Sequence, residues 1–373
     1  MRILVVSPDY PSADRNAFPF VKQLVEALAD RGNECVVIAP NSISQYKKIL
    51  KNEIQETVGH HTVSIKRPNY ISLSNWHIGR IWLTFWLRRK AVERCCKKLS
   101  FSPDVVYCHF WDAGLDGYQF AKRNKLPLFV ASGESRIERF FERKGKWDFF
   151  SNYVRGVICV STKNKIESIR LGLATEEKCT VIPNAINRTV FFQRDKRKCR
   201  QQLGFSDQLF IVAFVGSYVE RKGPLRLLEA VRKCNDKDIS IIYIGSGPQE
   251  PSDHSVIFNG KVDHQNIPTY LSAADVFVLP TLLEGCCNAI IEAMACGLPI
   301  ISSNLSFNKD VLDENNSILI DPNNIDEISN AITLIKKNEK ERERLSKNAL
   351  KTAMNLGIDK RAESIESFIK SRI

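Results

Sequence analysis

The stretch Leu279-Pro280-Thr281-Leu282-Leu283-Glu284-Gly285-Cys286-Cys287-Asn288-Ala289-Ile290-Ile291-Glu292-Ala293-Met294-Ala295-Cys296-Gly297-Leu298-Pro299 carries more information than any other part of this 373-residue chain. A buried, strand-like run, 276–280, ends at a proline. A helix then begins near Asn288, a residue type that caps helices well. Glu284 stands in the loop between strand and helix, and Glu292 falls one turn into the helix. The free amides of such a helix start, at Cys287, Asn288 and Ala289, can face a phosphate oxygen. A carboxylate one turn in can accept two hydrogen bonds from a vicinal diol such as a ribose. The carboxylate ahead of the helix reaches outward to a sugar.

The same alternation extends in both directions. Apolar, β-branched runs cover 210–216, 240–245, 256–260, 276–280, 299–303 and 318–321 in the second half, and 3–7, 35–39, 63–66, 105–108, 128–131, 157–160 and 180–182 in the first. Helical patterns such as 18–31 and 114–123 separate most of them. Continuous apolar strands between helices predict parallel sheets covered on both faces. The pattern occurs twice, with a break near Val181-Ile182-Pro183-Asn184-Ala185 followed by a polar, basic stretch. The expected fold class is therefore α/β, with one doubly wound domain over 1–185 and a second over 186–355. The charged segment 336–373 reads as helical and long enough to lie across both domains, with 356–373 returning to the first. Doubly wound sheets bind ligands at the carboxyl ends of their strands, and two such edges facing each other would enclose a cleft for two substrates.

Composition removes other classes. Hydrophobic residues make up 43% and charged residues 26% of the chain, which excludes wholesale disorder. The longest apolar runs span about seven residues, against about 20 for a membrane helix. The first residues run into a strand with no signal-peptide pattern, and the 11 cysteines include no C-x-x-C pair, so reduced thiols in a cytoplasm are expected. The net charge of +12 is one-sided: residues 1–185 carry 29 Lys and Arg against 18 Asp and Glu, and residues 186–373 carry 25 against 24. That asymmetry points to an anionic membrane surface on one domain and not to nucleic acid.

A second candidate site is Phe214-Val215-Gly216-Ser217-Tyr218-Val219-Glu220-Arg221-Lys222-Gly223-Pro224. A strand ends at Gly216, a short loop carries Arg221 and Lys222, and Pro224 opens a helix at the position where proline is tolerated. The ammonium of Lys222 and the amides of that helix start suit a phosphate.

Together these stretches resemble the GT-B glycosyltransferases of the large retaining family 4, the glycosyl transferases group 1. The resemblance covers nearly the whole chain and is densest over 210–322, through Gly216…Lys222-Gly223, Ile244-Gly245-Ser246-Gly247-Pro248, Phe258-Asn259-Gly260-Lys261-Val262 and Glu284…Glu292. It implies two Rossmann-like domains facing across a cleft, with the nucleotide-sugar donor on the second. Lys222 would contact the diphosphate, Glu284 the donor sugar and Glu292 the ribose, with the base near Val262 and further donor contacts from Gly216, Ser217, Arg221 and Gly247. The leaving diphosphate would help deprotonate the acceptor hydroxyl on the same face, so no protein nucleophile, metal or cofactor is required. The expected activity is transfer of a hexosyl group from a UDP-sugar to a saccharide, lipid-linked in bacterial surface polysaccharide biosynthesis. A nucleotide-sugar 2-epimerase of the same fold and a non-catalytic nucleotide-sugar binder are the alternatives.

Three departures from the family pattern stand out. Ser217 takes the place of an arginine, which Arg221 either replaces or, in the family's loop geometry, points away from. Asp14-Arg15-Asn16-Ala17 replaces a Gly-Gly pair, which turns Asp14 and Asn16 toward the acceptor. Ser132, in Val130-Ala131-Ser132-Gly133-Glu134, takes the place of a histidine whose role falls to Glu134 or is absent. His109, at a strand's end, either faces the cleft as a catalytic group or packs on Trp111 and caps the next helix. Asp236-Lys237-Asp238 reads as a solvated turn and not as a metal site.

Trp76, Ile78, Ile81, Trp82, Phe85 and Trp86 stand among Arg80, Arg88, Arg89, Lys90, Lys97 and Lys98, and Phe140, Phe141 and Trp147 among Arg136, Arg139, Arg143, Lys144 and Lys146. Aromatic residues interleaved with cations either anchor the protein at an anionic bilayer, peripheral to the inner face of the membrane, or form the core of the first domain with its solvated back.

Overall fold

The computed structural model describes residues 1–12, 17–46, 50–58, 61–74, 76–79, 81–138 and 148–373. Its chain divides into two compact units, Met1–Ile182 with Ile358–Ile373, and Pro183–Gly357.

The first unit is built on β1 (Arg2–Val6), β2 (Glu34–Ile38), β3 (Glu53–Val58), β4 (His61–Lys66), β5 (Val105–His109), β6 (Leu128–Ser132), β7 (Val154–Cys159) and β8 (Cys179–Val181). Their order in the sheet is β8-β7-β6-β5-β1-β2-β4-β3. The pairings are parallel except for β3 against β4. Successive side chains leave a strand on opposite faces. Leu4 and Val6 therefore pack with α2 (Leu83–Lys97) and α3 (Trp111–Arg123), while Ile3 and Val5 pack with α1 (Pro19–Asp30) and the C-terminal helix Ile358–Lys370. That helix buries Ala362, Ile365 and Ile369, and Nε of Arg31 lies 2.6 Å from Oε2 of Glu366.

The sequence reading has no strand at β3. Glu53, Gln55 and Glu56 give this segment the look of a loop, because an edge strand needs no apolar run and is better protected from stray pairing by charge. Nζ of Lys66 lies 2.8 Å from Oε1 of Glu53 across the pair.

The sheet of the second unit contains β9 (Phe210–Val215), β10 (Ile239–Ile244), β11 (Val256–Gly260), β12 (Val276–Leu279), β13 (Ile300–Ser303) and β14 (Ser317–Ile320). All neighbours are parallel, in the order β11-β10-β9-β12-β13-β14. β9, β10 and β12 are buried throughout, which is why they read as unbroken apolar runs. The order reverses between β9 and β12, and that is where a doubly wound sheet opens a crevice at its carboxyl edge. The helices on its faces include α4 (Pro224–Cys234), α5 (Asn288–Ala295), α6 (Ile325–Lys337) and α7 (Glu339–Met354). α5 buries Ile290, Ile291 and Met294, each contributing about 1.5–3 kcal/mol. This anchors the helix while its first turn stays at the edge.

The charged segment 336–373 is not one helix. It breaks after α7, where Leu356 O accepts the Ile186 N–H at 2.9 Å and Gly357 bridges Ile186. Backbone groups committed to that pairing cannot continue a helical ladder.

Candidate active site

Two loops meet at the point where the second sheet reverses. After β9, the N–H of Gly216 bonds Ile244 O at 2.9 Å, and Glu220–Lys222 forms a single 3-10 turn. Gly223 follows at φ 76°, and Pro224 opens α4. A Cβ at position 223 would lie 2.7 Å from Pro280 O, so both backbone conformation and space demand glycine there. Gly245, after β10, is held as tightly: a Cβ would stand 1.9 Å from Gly216 O. The loop after β12 lies against the first. Leu282 N–H donates to Arg221 O at 2.8 Å, and Thr281 Oγ1 lies 3.1 Å from the same carbonyl oxygen.

These contacts bring Lys222 to Glu284, with Nζ 2.6 Å from Oε1. The same oxygen accepts from Arg221 Nη1 at 2.7 Å and from Thr281 Oγ1 at 3.0 Å. Arg221 also donates to Leu283 O. Arg221 is thus turned toward Glu284, while the side chain of Ser217 is exposed. Lys222 Nζ lies 3.8 Å from the sulfur of Cys287. Burial alone pulls the Lys222 pKa down, but Cys287 and Glu284 outweigh it and hold the ammonium above its ordinary value. Burial pushes the Cys287 thiol up, against Lys222 and the N–H groups of Ile290 and Ala289.

The start of α5 differs in one detail from the expected Asn288 cap. Cys287 occupies the N-cap position and makes no side-chain capping bond, and Asn288 is the first helical residue. The Asn288 side chain serves another partner: its Oδ1 accepts from Asn184 Nδ2 at 2.8 Å, and Asn184 also donates to Cys286 O at 3.0 Å. First-turn amides without a side-chain cap suit an anion. Glu292, one turn on, is 9% exposed, and its Oε1 lies 3.1 Å from Nε2 of His264. Burial disfavours the charged imidazole, but Glu292 prevails and holds the His264 pKa above its ordinary value. Sequence reasoning passed over His264. Its only signal was its place four residues after Gly260, in the segment assigned to the base. Val262, in that segment, is half-buried against the core, and Gly247 is exposed.

The first unit has its own reversal, between β1 and β5, and the backbone there is strained. Phe18 and Phe110, at the N-caps of α1 and α3, have φ of 51° and 79°, which is uncommon for bulky side chains. Their rings meet edge to face at 5.7 Å. His109 packs on other partners than Trp111. Its ring is 4% exposed and lies 4.8 Å from Phe110 and 5.3 Å from Phe20. Burial, with Arg361 nearby, holds its pKa down to about 3, so the ring is neutral and a weak base.

Ser132 is fully buried: its hydroxyl accepts from Trp111 Nε1 and donates to Glu134 Oε2, both at 3.2 Å. Glu134 is half-buried and receives the N–H groups of Trp111 at 2.8 Å and Gly133 at 3.0 Å. Burial pushes its carboxyl up to about 7. Asp14 and Asn16 lie outside the described residues.

Among the aromatic and basic residues, Trp76, Ile78 and Trp86 are 72%, 69% and 45% exposed, while Trp82 and Phe85 are half-buried. Arg88 is not a surface cation: it is buried with Nε 2.8 Å from Oδ2 of Asp116. Arg80 and the cluster from Arg139 to Trp147 lie outside the described residues. No helix among the described residues is long and apolar enough to cross a membrane. Asp236 and Asp238 flank Lys336 Nζ at 2.6 and 3.6 Å, ahead of β10 and so at the opposite edge of the sheet from Lys222.

Two mainly parallel, doubly wound units, the second with a cation, a helix start and two carboxylates gathered at its reversal point, define a glycosyltransferase of the GT-B fold. Residues 195–352 match the model of the Glycosyl transferases group 1, and residues 19–190 match that of Glycosyltransferase Family 4. The two matches together span most of the chain. It is 25% identical to the putative teichuronic acid biosynthesis glycosyltransferase TuaC of Bacillus subtilis, over 89% of this chain and 88% of that one. It is 24% identical to the N,N'-diacetylbacillosaminyl-diphospho-undecaprenol alpha-1,3-N-acetylgalactosaminyltransferase of Campylobacter jejuni, over 92% of each. Among solved structures, HepE of Anabaena, in complex with UDP and glucose, covers 100% of both chains with a TM-score of 0.73 at 18% identity.

Proposed function

We propose that this chain moves a hexosyl group from a UDP-sugar to a lipid-linked saccharide, with retention of anomeric configuration, in the assembly of a bacterial surface glycan. The observation that carries the reading is the approach of Lys222 to within 3.8 Å of Cys287 at the start of α5. An ammonium and a set of first-turn amides beside each other suit one diphosphate. When the bond from the anomeric carbon to phosphate breaks, its electron pair goes to the phosphate oxygen. Lys222 and the α5 amides then stabilise the charge where it develops. Glu284 keeps Lys222 oriented and faces the donor sugar, and Glu292 holds the ribose. The acceptor hydroxyl bonds to the anomeric carbon and gives its proton to the departing diphosphate, so neither a protein nucleophile nor a metal is called for. His109, neutral and packed, is left as a support for the strand end and not as a proton carrier.

The Campylobacter enzyme's name, which specifies a diphospho-undecaprenol acceptor, supports the acceptor class, and the Bacillus protein's, which specifies teichuronic acid biosynthesis, supports a role in glycan assembly. The UDP bound to HepE supports the base. The exposed Trp76, Ile78 and Trp86, in a half of the chain with 29 basic against 18 acidic residues, favour an anionic membrane surface as the place where such an acceptor is met. The test is to incubate the protein with a panel of UDP-sugars and an undecaprenyl-diphosphate saccharide and to read the product linkage by NMR. An α-linked product from an α-linked donor is expected. An inverted linkage overturns retention, and conversion of the donor to its 2-epimer without transfer overturns the reading altogether.

A further inference from the structure

We infer that His264 is a positioning residue for the donor nucleotide: its imidazole fixes the Glu292 carboxylate that receives the ribose and ties it to the segment that receives the base. The inference rests on the donor-site reading above. His264 opens a 3-10 turn, His264–Asn266, shortly after the end of β11. Glu292 belongs to α5, after β12. The 3.1 Å contact from Nε2 to Oε1 is therefore a direct tie between two separate elements, one on each side of the proposed nucleoside.

A carboxylate offers about four lone-pair sites, so one bond to imidazole leaves room for a diol. What the bond removes is rotation. A glutamate has three side-chain torsions, the last broad and poorly restrained, whereas two ribose hydroxyls need both oxygens in one plane and at one height. The imidazole is itself held, with Phe191 at 5.0 Å edge to face. Phe191 is 1% exposed, so the clamp is backed by the core of the second unit. Glu292 is also nearly buried, and a carboxylate without a partner in such a place is costly.

A merely structural bond between the 3-10 turn and α5 would stabilise the fold without touching nucleotide affinity, and that difference is measurable. Isothermal titration of UDP, with GDP and ADP alongside, would be run on the native protein, His264→Ala, His264→Gln, Glu292→Ala and the double variant His264→Ala/Glu292→Ala. His264→Ala is expected to weaken the nucleotide that binds by about tenfold, the loss of one charge-assisted hydrogen bond. In a donor titration of the reaction the loss should appear in KM and not in kcat. His264→Gln, which keeps a donor near the Nε2 position, should recover most of the affinity. With Glu292 already replaced, removing His264 should change nothing further. Native affinity in His264→Ala, a loss as large in the Glu292→Ala background, or no recovery by glutamine would overturn the inference alone. Native affinity in Glu292→Ala would instead overturn the donor-site reading on which it stands.

Discussion

Nζ of Lys222 lies 2.6 Å from Oε1 of Glu284, joining the loops that follow β9 and β12, which are neighbours in the sheet but far apart in the chain. A buried ion pair earns its place only when further bonds complete it. Here Arg221 and Thr281 add two more donors to the same oxygen. The pair keeps Lys222 charged beside the start of α5, as the proposed stabilisation of a leaving diphosphate requires.

Replacing Lys222 by methionine keeps the volume and removes the charge. Turnover should fall by roughly 100- to 1,000-fold, the usual effect of losing one group that stabilises developing charge. Glu284 keeps Arg221 and Thr281, so the melting temperature should change far less than for an orphaned buried carboxylate. Single-turnover rates and a thermal melt on the same sample check both halves. Near-native turnover would remove Lys222 from the mechanism.

Gly245→Ala should be destabilising at a site that contacts no substrate in the proposed scheme. The added methyl would stand 1.9 Å from Gly216 O, and a backbone atom cannot swing away as a side chain can. The expected loss is about 3 kcal/mol or more, in the range of strained core substitutions, and urea denaturation measures it. A loss below about 1 kcal/mol would mean that the two loops part easily.

Glu134 sets a pH dependence of unusual sign. Its carboxyl titrates near about 7 in the folded chain against an ordinary 4.5. Between those values the folded state holds a proton that the unfolded state has released, so stability falls as pH rises through that window and is constant beyond it. Glu134→Gln cannot titrate. The stability of the native protein relative to this variant should therefore drop between pH 5 and pH 8, as followed by urea midpoints. A difference independent of pH would show that the carboxyl titrates normally.

Replacing Trp76, Ile78 and Trp86 together by serine should lower binding to anionic vesicles by about tenfold or more, because these side chains supply the exposed apolar area. Cosedimentation with phosphatidylglycerol vesicles at low and high salt reads the effect. Salt should weaken the native protein's binding, since screening acts on the charges and not on the aromatic rings. Equal binding by the variant would leave these residues without a membrane role.

The apolar runs made most strands of both sheets legible, because buried parallel strands cannot hide their pattern, and the motifs at Lys222 and Glu284…Glu292 marked a strand end and a helix start by their local residue types. The edge strand β3 escaped because a half-exposed strand has no apolar run to display. His264 escaped because nothing in its own neighbourhood signals a partner on another helix. Local chemistry, read along the chain, determined which elements form and which residues could meet a phosphate. Only the tertiary structure decided that Arg221 turns to Glu284, that Ser132 and His109 are packed inside, and that His264 meets Glu292. Those outcomes depend on which strand ends lie side by side, and that is settled by packing between segments distant in sequence.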